Sequence, residues 1–279
     1  MKSLELFAGA GGAALGLRHA GMQAVACVEW NADAAATLSA NGFPAVCSDV
    51  REVNYRKFGR VDLLWASPPC QAWSRANQQG VRGADDVARN GWPWTLDVIK
   101  DVRPTWVVCE NVRDAAKYVE AEVLPKLREL YPFVALWKLN AKHHGVPQSR
   151  NRIFIVAGPR EAVPPQEQEL ITMRTAIGVA WDKPSPCVMT NEWKGRPTNP
   201  VWWKKLNNAS DALALATNGE RRKLTPEECA TLQGFPADYK FSGPYKAVYT
   251  QIGNAVPPPL ATAVVTALLG RSNDNRKEA

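Results

Sequence analysis

A cysteine that follows two prolines is the residue of this chain best placed for nucleophilic chemistry. Cys70 ends the stretch Ser67-Pro68-Pro69-Cys70, which comes after an apolar run that predicts a buried strand. The fixed φ of both prolines ends the strand and directs the thiol outward from its carboxyl edge. In open α/β sheets, ligands bind at that edge. A lone cysteine at a strand end is more often simply buried, so the assignment depends on the surrounding residues.

A glycine-rich loop near the amino terminus indicates a second part of the same site. Gly9, Gly11 and Gly12 follow the first predicted strand and come just before a predicted helix. Glycines permit a tight turn and a close approach of the backbone to a ligand, and the helix N-terminus offers free N–H groups. Glu29 ends the second predicted strand, where a carboxylate can bind a ribose diol. Alone, this pattern fits a dinucleotide or S-adenosylmethionine equally well.

Asp49 ends the third predicted strand and has two interpretations. A carboxylate at this edge suits the amino group of an adenine, which needs a hydrogen-bond acceptor. The same residue is also a good N-cap for a helix that begins with Val50-Arg51-Glu52. The residues alone leave both interpretations open.

The elements that must position these side chains alternate between strand and helix. Strands are predicted over Ser3–Phe7, Ala24–Glu29, Pro44–Cys47, Asp62–Ala66, Trp106–Glu110, Val134–Asn140 and Arg152–Ala157. Helices are predicted over Ala13–Ala20, Asn31–Ala40, Thr95–Val102, Ala115–Leu130, Pro226–Leu232 and Pro258–Leu269. This alternation predicts an α/β, Rossmann-like fold with a mostly parallel sheet.

The alternation stops after residue 158, where prolines and tryptophans accumulate. We therefore expect a catalytic and cofactor-binding domain over 1–158, a small second lobe over 159–245, and a segment over 246–279 that returns to the first domain. Gly253 and Asn254 are interpreted either as part of the site or as a turn before the last helix.

Composition narrows the class of protein. The chain has 279 residues, of which 46% are hydrophobic, and a net charge of +7 that mildly favours a polyanionic partner. Its six cysteines form no CxxC pair and no metal-ligand spacing, so we expect reduced thiols, no metal and a cytoplasmic location. No apolar run approaches the roughly 20 residues that span a bilayer. Glu5 interrupts the first apolar stretch, which favours a strand over a signal peptide.

Further motifs give the chain a resemblance to the DNA (cytosine-5) methyltransferases. In chain order they are the glycine loop, Pro69-Cys70-Gln71, Glu110-Asn111-Val112, Gln148-Ser149-Arg150-Asn151-Arg152, Leu232-Gln233-Gly234-Phe235-Pro236 and Gln251-Ile252-Gly253-Asn254-Ala255-Val256. These blocks extend over nearly the whole chain in the order that the family shows.

The resemblance implies a class I methyltransferase fold with a small target-recognition lobe, S-adenosylmethionine as cofactor, and methyl transfer to C5 of a flipped-out cytosine in double-stranded DNA. The implied catalytic residues are Cys70, which adds to C6, Glu110, which binds N3 and the exocyclic amine, and Arg152 and Arg150, which meet O2 and phosphates. The implied cofactor-binding residues are Phe7, Gly9, Ala10, Gly11, Gly12, Glu29, Trp30, Asp49, Val50, Pro69, Asn254 and Val256. The implied DNA-binding residues are Gln71, Ser74, Arg75, Gln148, Lys194, Arg196, Lys204 and Lys205. We expect a monomeric enzyme of prokaryotic or phage type, with His143 and His144 in structural roles.

Three other functions remain open at this stage. A family branch methylates transfer RNA by the same chemistry. A nicotinamide oxidoreductase would explain the glycine loop and Glu29 but not Cys70, Glu110 or Arg152. A non-catalytic DNA-binding relative would be expected to lack Cys70 or Glu110, and the chain has both. Only about 30 residues, 191–221, are left for reading bases, so we expect a short or degenerate target.

Overall fold

A mixed sheet of seven strands organises the part of the chain that the computed structural model describes, namely residues 1–69, 73, 90–179, 182–190 and 224–270. The strands are β1 (Lys2–Leu6), β2 (Gln23–Glu29), β3 (Ala45–Cys47), β4 (Leu63–Ala66), β5 (Trp106–Val112), β6 (Phe133–Asn140) and β7 (Asn151–Gly158). Their order across the sheet is β3-β2-β1-β4-β5-β7-β6. The first five strands in that order are parallel, and β7 runs antiparallel to both β5 and β6. The predicted α/β fold with a mostly parallel sheet is confirmed.

Helices cover the sheet and connect its strands. They are α1 (Gly12–His19), α2 (Ala32–Ala40), α3 (Trp92–Val102), α4 (Ala116–Tyr118), α5 (Leu124–Arg128), α6 (Met173–Ile177), α7 (Pro226–Gln233), α8 (Tyr245–Asn254) and α9 (Pro258–Leu268). A π-helical turn over Val119–Val123 joins α4 to α5, so the helix expected over 115–130 is irregular in its middle. Helix α7 has the predicted N-cap, because Thr225 and Glu228 form a capping box in front of it.

Helix α8 was not predicted, and the interpretation of Gly253 and Asn254 as a turn before the last helix was wrong. Both residues belong to the last turn of α8. Its buried side includes Tyr249 and Ile252, which belong to an apolar cluster shared with α1 and α2. The helix is therefore stabilised by partners far away in sequence, which a local pattern does not contain.

The central strands are apolar on both faces, as strands of a parallel sheet covered by helices must be. Leu64 and Val107 face one cluster, while Leu63, Trp65 and Val108 face the other. A third cluster joins Met173, Val179 and Val188, together with apolar residues of 224–255, to the first two helices. The division of the chain at residue 158 stays a prediction.

The first and last helices pack closely because glycines line their contact. A Cβ on Gly12 would lie 2.1 Å from the carbonyl oxygen of Val256, and one on Gly16 would lie 2.5 Å from that of Pro258. Thr262 Oγ1 also donates to the carbonyl of Gly16 at 3.1 Å. Residues 255–262 therefore complete the region around the glycine loop. Within the described residues, no helix has the length and apolar character needed to cross a membrane.

Candidate active site

The glycine loop leaves open space at the carboxyl end of β1. Phe7, Gly9 and Gly11 all have positive φ, of 56°, 54° and 82°, and Gly11 precedes the first turn of α1. The φ of Gly11 is one that L side chains rarely adopt, and a Cβ there would also meet Leu38 and Tyr239, so this position favours glycine. A Cβ on Gly9, in contrast, would have no neighbour within 4 Å. The loop therefore forms a cradle whose open side is next to Gly9.

Glu29 is held at this cradle by main-chain donors. Its Oε2 accepts a hydrogen bond from the N–H of Gly9 at 2.7 Å, and its Oε1 accepts one from the N–H of Asn31 at 2.8 Å. Burial raises the pKa of Glu29, and the N–H groups of Asn31, Gly9 and Trp30 counteract part of that rise. The adjoining Trp30 is 77% exposed, which leaves its indole ring free to cover a flat ligand.

Asp49 precedes a turn over residues 50–52 rather than the expected helix, and its contact with an adenine stays a prediction. Its carboxylate accepts from the backbone N–H of Arg51 at 2.9 Å, as an N-cap does, and also from the Arg51 guanidinium at 2.9 and 2.7 Å. This bonding lowers the pKa of Asp49. The Arg51 guanidinium lies 4.6 Å from the ring centre of Trp94. Val50 is buried beside this group, and its carbonyl accepts a 2.6 Å hydrogen bond from Tyr55.

Glu110 and Arg152 form a buried ion pair at the carboxyl end of β5. The Nε of Arg152 lies 2.8 Å from Oε1 of Glu110, and the side chains are 13% and 10% exposed respectively. The pair forms because β7 is antiparallel to β5, which sets the start of β7 against the end of β5, with Arg152 opposite Val112. Burial raises the pKa of Glu110, although Arg152 and then Arg150 counteract part of the rise. A carboxyl in this state can keep or share a proton at a higher pH than an ordinary glutamate.

The segment that leads to Cys70 is fixed from two sides. Asn111, which is buried, donates from Nδ2 to the carbonyl oxygen of Pro68 at 3.0 Å. A Cβ on Gly91 would lie 2.6 Å from Cδ of Pro69, so only glycine permits this packing. The predicted residues that lie outside the described part of the chain are Cys70, Gln71, Ser74, Arg75, Lys194, Arg196, Lys204 and Lys205.

Arg150 faces the interior of its own chain rather than the surface. It is 2% exposed and donates to the carbonyl oxygens of Val188, Gly253 and Ala255 at 3.2, 2.8 and 3.0 Å. Its NH1 also lies 3.3 Å from Sγ of Cys187. The structure therefore does not support the expectation that Arg150 reaches phosphates. It joins residues 187–188 to the C-terminal end of α8, two segments that are distant in sequence.

Gln148 is likewise internal, so the structure does not support its predicted contact with DNA. It is fully buried, donates to Leu232 O and Gln233 Oε1 at 3.1 and 2.7 Å, and accepts from the N–H of Val188 at 2.9 Å. Sequence reasoning did not assign Gln233 a role, yet its amide also donates to the carbonyl of Ile252 at 2.6 Å. Gln148 and Gln233 each lie in a family motif, and this shared property was the sequence signal that could have assigned Gln233 a role.

The positions of Asn254, Val256, Ala10 and His144 complete the description of the predicted residues. Asn254 is exposed at the end of α8, and Val256 is buried with its carbonyl against Gly12. The carbonyl of Ala10 accepts a 2.5 Å hydrogen bond from the Tyr239 hydroxyl. His144 is 2% exposed, and burial lowers its pKa. No cluster of His, Cys, Asp or Glu able to hold a metal ion occurs within the described ranges.

Comparison with known proteins assigns the chain to a family. The C-5 cytosine-specific DNA methylase family model matches residues 1–195 and 181–270. The chain is 32% identical to the Type II methyltransferase M.AplI of Arthrospira platensis, over 95% of this chain and 84% of the relative. It is 30% identical to the Type II methyltransferase M.NgoMIV of Neisseria gonorrhoeae, over 94% and 95%.

Solved structures agree at the level of the fold. A mutant of Spodoptera frugiperda DNMT2 matches with a TM-score of 0.71 and 20% identity, over 96% of this chain and 99% of that one. The Entamoeba histolytica methyltransferase EhMeth matches with a TM-score of 0.73 and 16% identity, over 97% and 98%. The family match extends over most of the chain and includes the strands that carry Glu29, Glu110 and Arg152. The chain belongs to the C-5 cytosine-specific DNA methylase family.

Proposed function

We propose that this protein transfers a methyl group from S-adenosylmethionine to C5 of a flipped-out cytosine in double-stranded DNA. The observation that carries the proposal is the placement of two different sites at one edge of the sheet. The carboxyl ends of β1 and β2 hold the glycine cradle and Glu29, the carboxyl ends of β4 and β5 hold Pro69 and Glu110, and the start of β7 holds Arg152. One site suits a nucleoside, and the other suits a polar base.

The cradle fits S-adenosylmethionine. The open space at Gly9 gives room beside the main chain, and Glu29 offers carboxylate oxygens to a ribose diol. Trp30 and Val50 provide apolar surface for an adenine, and Asp49 keeps a charged carboxylate near it. Phe7, Ala10, Gly11, Gly12, Pro69, Asn254 and Val256 complete the proposed lining. When bound, this cofactor supplies an electrophilic methyl group on a sulfonium.

Cys70 activates the base. C5 of cytosine is too weak a nucleophile to take a methyl group unaided, so the Cys70 thiolate adds to C6 and forms a carbon–sulfur bond. C5 then takes the methyl group as the bond between that methyl and the sulfonium sulfur breaks. Water accepts the proton that leaves C5, and the C6–sulfur bond breaks to restore the ring and the thiolate. Pro68 and Pro69, held by Asn111 and Gly91, fix the chain that leads to this thiol.

Glu110 and Arg152 stabilise the ring while it carries the adduct. Addition at C6 places negative charge near N3 and O2. The carboxyl of Glu110, whose pKa is raised by burial, can donate or share a proton at N3 and accept from the exocyclic amine. Arg152 orients that carboxyl at 2.8 Å and offers its guanidinium to O2. Arg150 takes a positioning role, since it binds main-chain carbonyls instead.

DNA binding is proposed to depend on cationic residues, in agreement with the net charge of +7. We assign phosphate contacts to Arg75, Lys194, Arg196, Lys204 and Lys205, and we expect the enzyme to act as a monomer in the cytoplasm. Each bidentate contact to a base edge contributes roughly 1–3 kcal/mol of discrimination, and about 30 residues can present few of them. We therefore expect a target of about two to four base pairs.

Bisulfite sequencing of DNA from a host that expresses the chain tests the proposal. We expect methylated cytosines at one short motif, and none with the Cys70→Ser variant. If transfer RNA is methylated and DNA is not, the substrate is RNA and the proposed DNA substrate is wrong. DNA binding without methylation by the wild type would contradict a catalytic function. A strict six-base-pair site would contradict the expected target length.

A further inference from the structure

An aromatic contact holds the chain three residues beyond the proposed nucleophile. The rings of Trp73 and Tyr118 have centres 5.1 Å apart and planes inclined by 39°. The Tyr118 hydroxyl accepts a hydrogen bond from Nδ2 of Asn90 at 3.1 Å. We refer to Trp73, Tyr118 and Asn90 as the aromatic anchor. It joins residues on both sides of the stretch 74–89, which carries the predicted DNA contacts Ser74 and Arg75.

Asn90 is the buried member of this anchor and is held by a second hydrogen bond. It is 6% exposed, and its Oδ1 accepts from the N–H of Trp92 at 3.2 Å, at the first residue of α3. The next residue, Gly91, packs against Pro68, Pro69 and Phe7 so closely that a Cβ would reach within 2.6 to 3.3 Å of them. Asn90, which binds the Tyr118 hydroxyl, is therefore adjacent in the chain to a residue that packs on Pro68, Pro69 and Phe7.

Tyr118 is fixed from its own side as well. It is the last residue of α4, and the π-helical turn begins at the next residue, Val119. π-turns inside helices occur frequently at functional sites. Val119 and Val123 are buried in the same apolar cluster against which Trp73 and Tyr118 pack. This helical segment follows β5, the strand that carries Glu110, so the anchor links the nucleophile segment to the strand of the proposed acid.

We infer that Tyr118 is a positioning residue for Cys70, acting through the ring of Trp73. The inference rests on the proposed function, because it assumes that Cys70 attacks the base. Pro68 and Pro69 are held before residue 70 in the sequence, and Trp73 is held by Tyr118 after it. We expect these two flanking contacts to reduce the reorganisation that brings the thiol to C6, because misplacement by about 1 Å can cost roughly 100-fold in rate.

The test measures the rate of covalent adduct formation with a duplex that contains 5-fluorocytosine. With saturating S-adenosylmethionine, C5 is methylated and the fluorine on it prevents the final elimination. The adduct therefore persists, and its formation rate reports on positioning of the thiol. We expect Tyr118→Ala to slow adduct formation roughly 10- to 100-fold while leaving affinity for S-adenosylhomocysteine within about twofold of wild type. Tyr118→Phe keeps the stacked ring and is expected to stay within about threefold of wild type.

Tyr131→Ala is the matched control. Tyr131 is a half-buried tyrosine that packs on the same apolar cluster, and its hydroxyl makes one hydrogen bond, to the carbonyl of Pro104 at 2.9 Å. This variant should lose comparable stability and keep the wild-type adduct rate. Trp73→Leu removes the stack from the other side and should reproduce the slow adduct formation if Tyr118→Ala fails to fold.

The outcomes separate the inference from the proposed function. Absence of an adduct with the wild type would contradict the proposed function itself. Equal adduct rates for Tyr118→Ala and Tyr131→Ala would overturn the inference while leaving that function intact. A parallel loss of S-adenosylhomocysteine affinity in Tyr118→Ala would also overturn it, because a general structural defect lowers both.

Discussion

The proposed cofactor end and the proposed cytosine end of the site are held in place by different kinds of contact. At the cofactor end, main-chain N–H groups of Gly9 and Asn31 hold Glu29, and glycines make the room. At the cytosine end, charged side chains from strands far apart in sequence hold each other, as Glu110 and Arg152 do. The cofactor end therefore depends on local chain geometry, whereas the cytosine end depends on the pairing of β5 with β7. A substitution should damage one end while sparing the other.

Cys70→Ser should give the largest effect, and it should be confined to the cytosine end. A serine hydroxyl is not ionised at neutral pH, so addition to C6 fails and turnover should drop by several orders of magnitude. Binding of DNA and of S-adenosylhomocysteine should persist. Radiolabelled methyl transfer, together with gel shift and calorimetry, measures the three quantities. Serine turnover within about tenfold of wild type would contradict the thiolate mechanism.

Glu110→Gln should lower kcat by roughly 10²- to 10⁴-fold, the usual contribution of a positioned proton donor. Affinity for S-adenosylhomocysteine should not change, and this result would show that the cofactor end works independently of Glu110. The pKa of Glu110 is raised, so its protonated form persists to a higher pH than that of an ordinary glutamate and is lost as pH rises further. Wild-type activity should fall on that alkaline side, and the residual activity of Glu110→Gln should not. A matching alkaline fall in both proteins would contradict the role of Glu110 as proton donor.

Glu29→Ala should raise the KM for S-adenosylmethionine by roughly 10- to 100-fold, because hydrogen bonds to a charged group contribute about 1.5–3 kcal/mol. Its kcat and DNA affinity should change little, so this variant damages the cofactor end alone. Calorimetry with S-adenosylhomocysteine measures the binding loss. Binding of NADH in place of the sulfur nucleoside would overturn the cofactor assignment.

Glu5→Gln should give the smallest effect, visible only in the pH dependence of stability. Glu5 is buried at the sheet beneath α1, and burial followed by repulsion from Glu29 raises its pKa well above 4.5. The folded protein therefore keeps this proton while the unfolded chain loses it, so stability falls as pH rises above 4.5. The glutamine variant, which cannot ionise, should lose less stability between acidic and neutral pH. Denaturant titrations at several pH values would show it, and identical slopes with pH in both proteins would contradict it.

The parts of the site that could be predicted from sequence are those whose signals are local. Strand periodicity and the glycine loop placed Glu29 at a strand end, and two prolines marked the chain before Cys70. Arg150 and Arg152 share one motif, but their different surroundings arise from contacts made across the fold. Arg152 meets Glu110 through strand pairing, whereas Arg150 is enclosed by the carbonyls of Gly253 and Ala255. Those partners come together only after folding, which is also why helix α8 was missed.

The close packing of α1 on α9 has a consequence for when the enzyme first becomes competent in the cell. The atoms nearest to a Cβ placed on Gly12 or Gly16 belong to residues 255–262. A ribosome adding about 5–20 residues per second reaches those neighbours roughly 12 to 50 s after it has made the glycine loop. During that interval the glycine loop lacks the residues that pack against the start of α1. A nascent chain is therefore expected to be unable to hold its methyl donor until synthesis has passed residue 262, so an early truncation should yield an inert product rather than a partly active one.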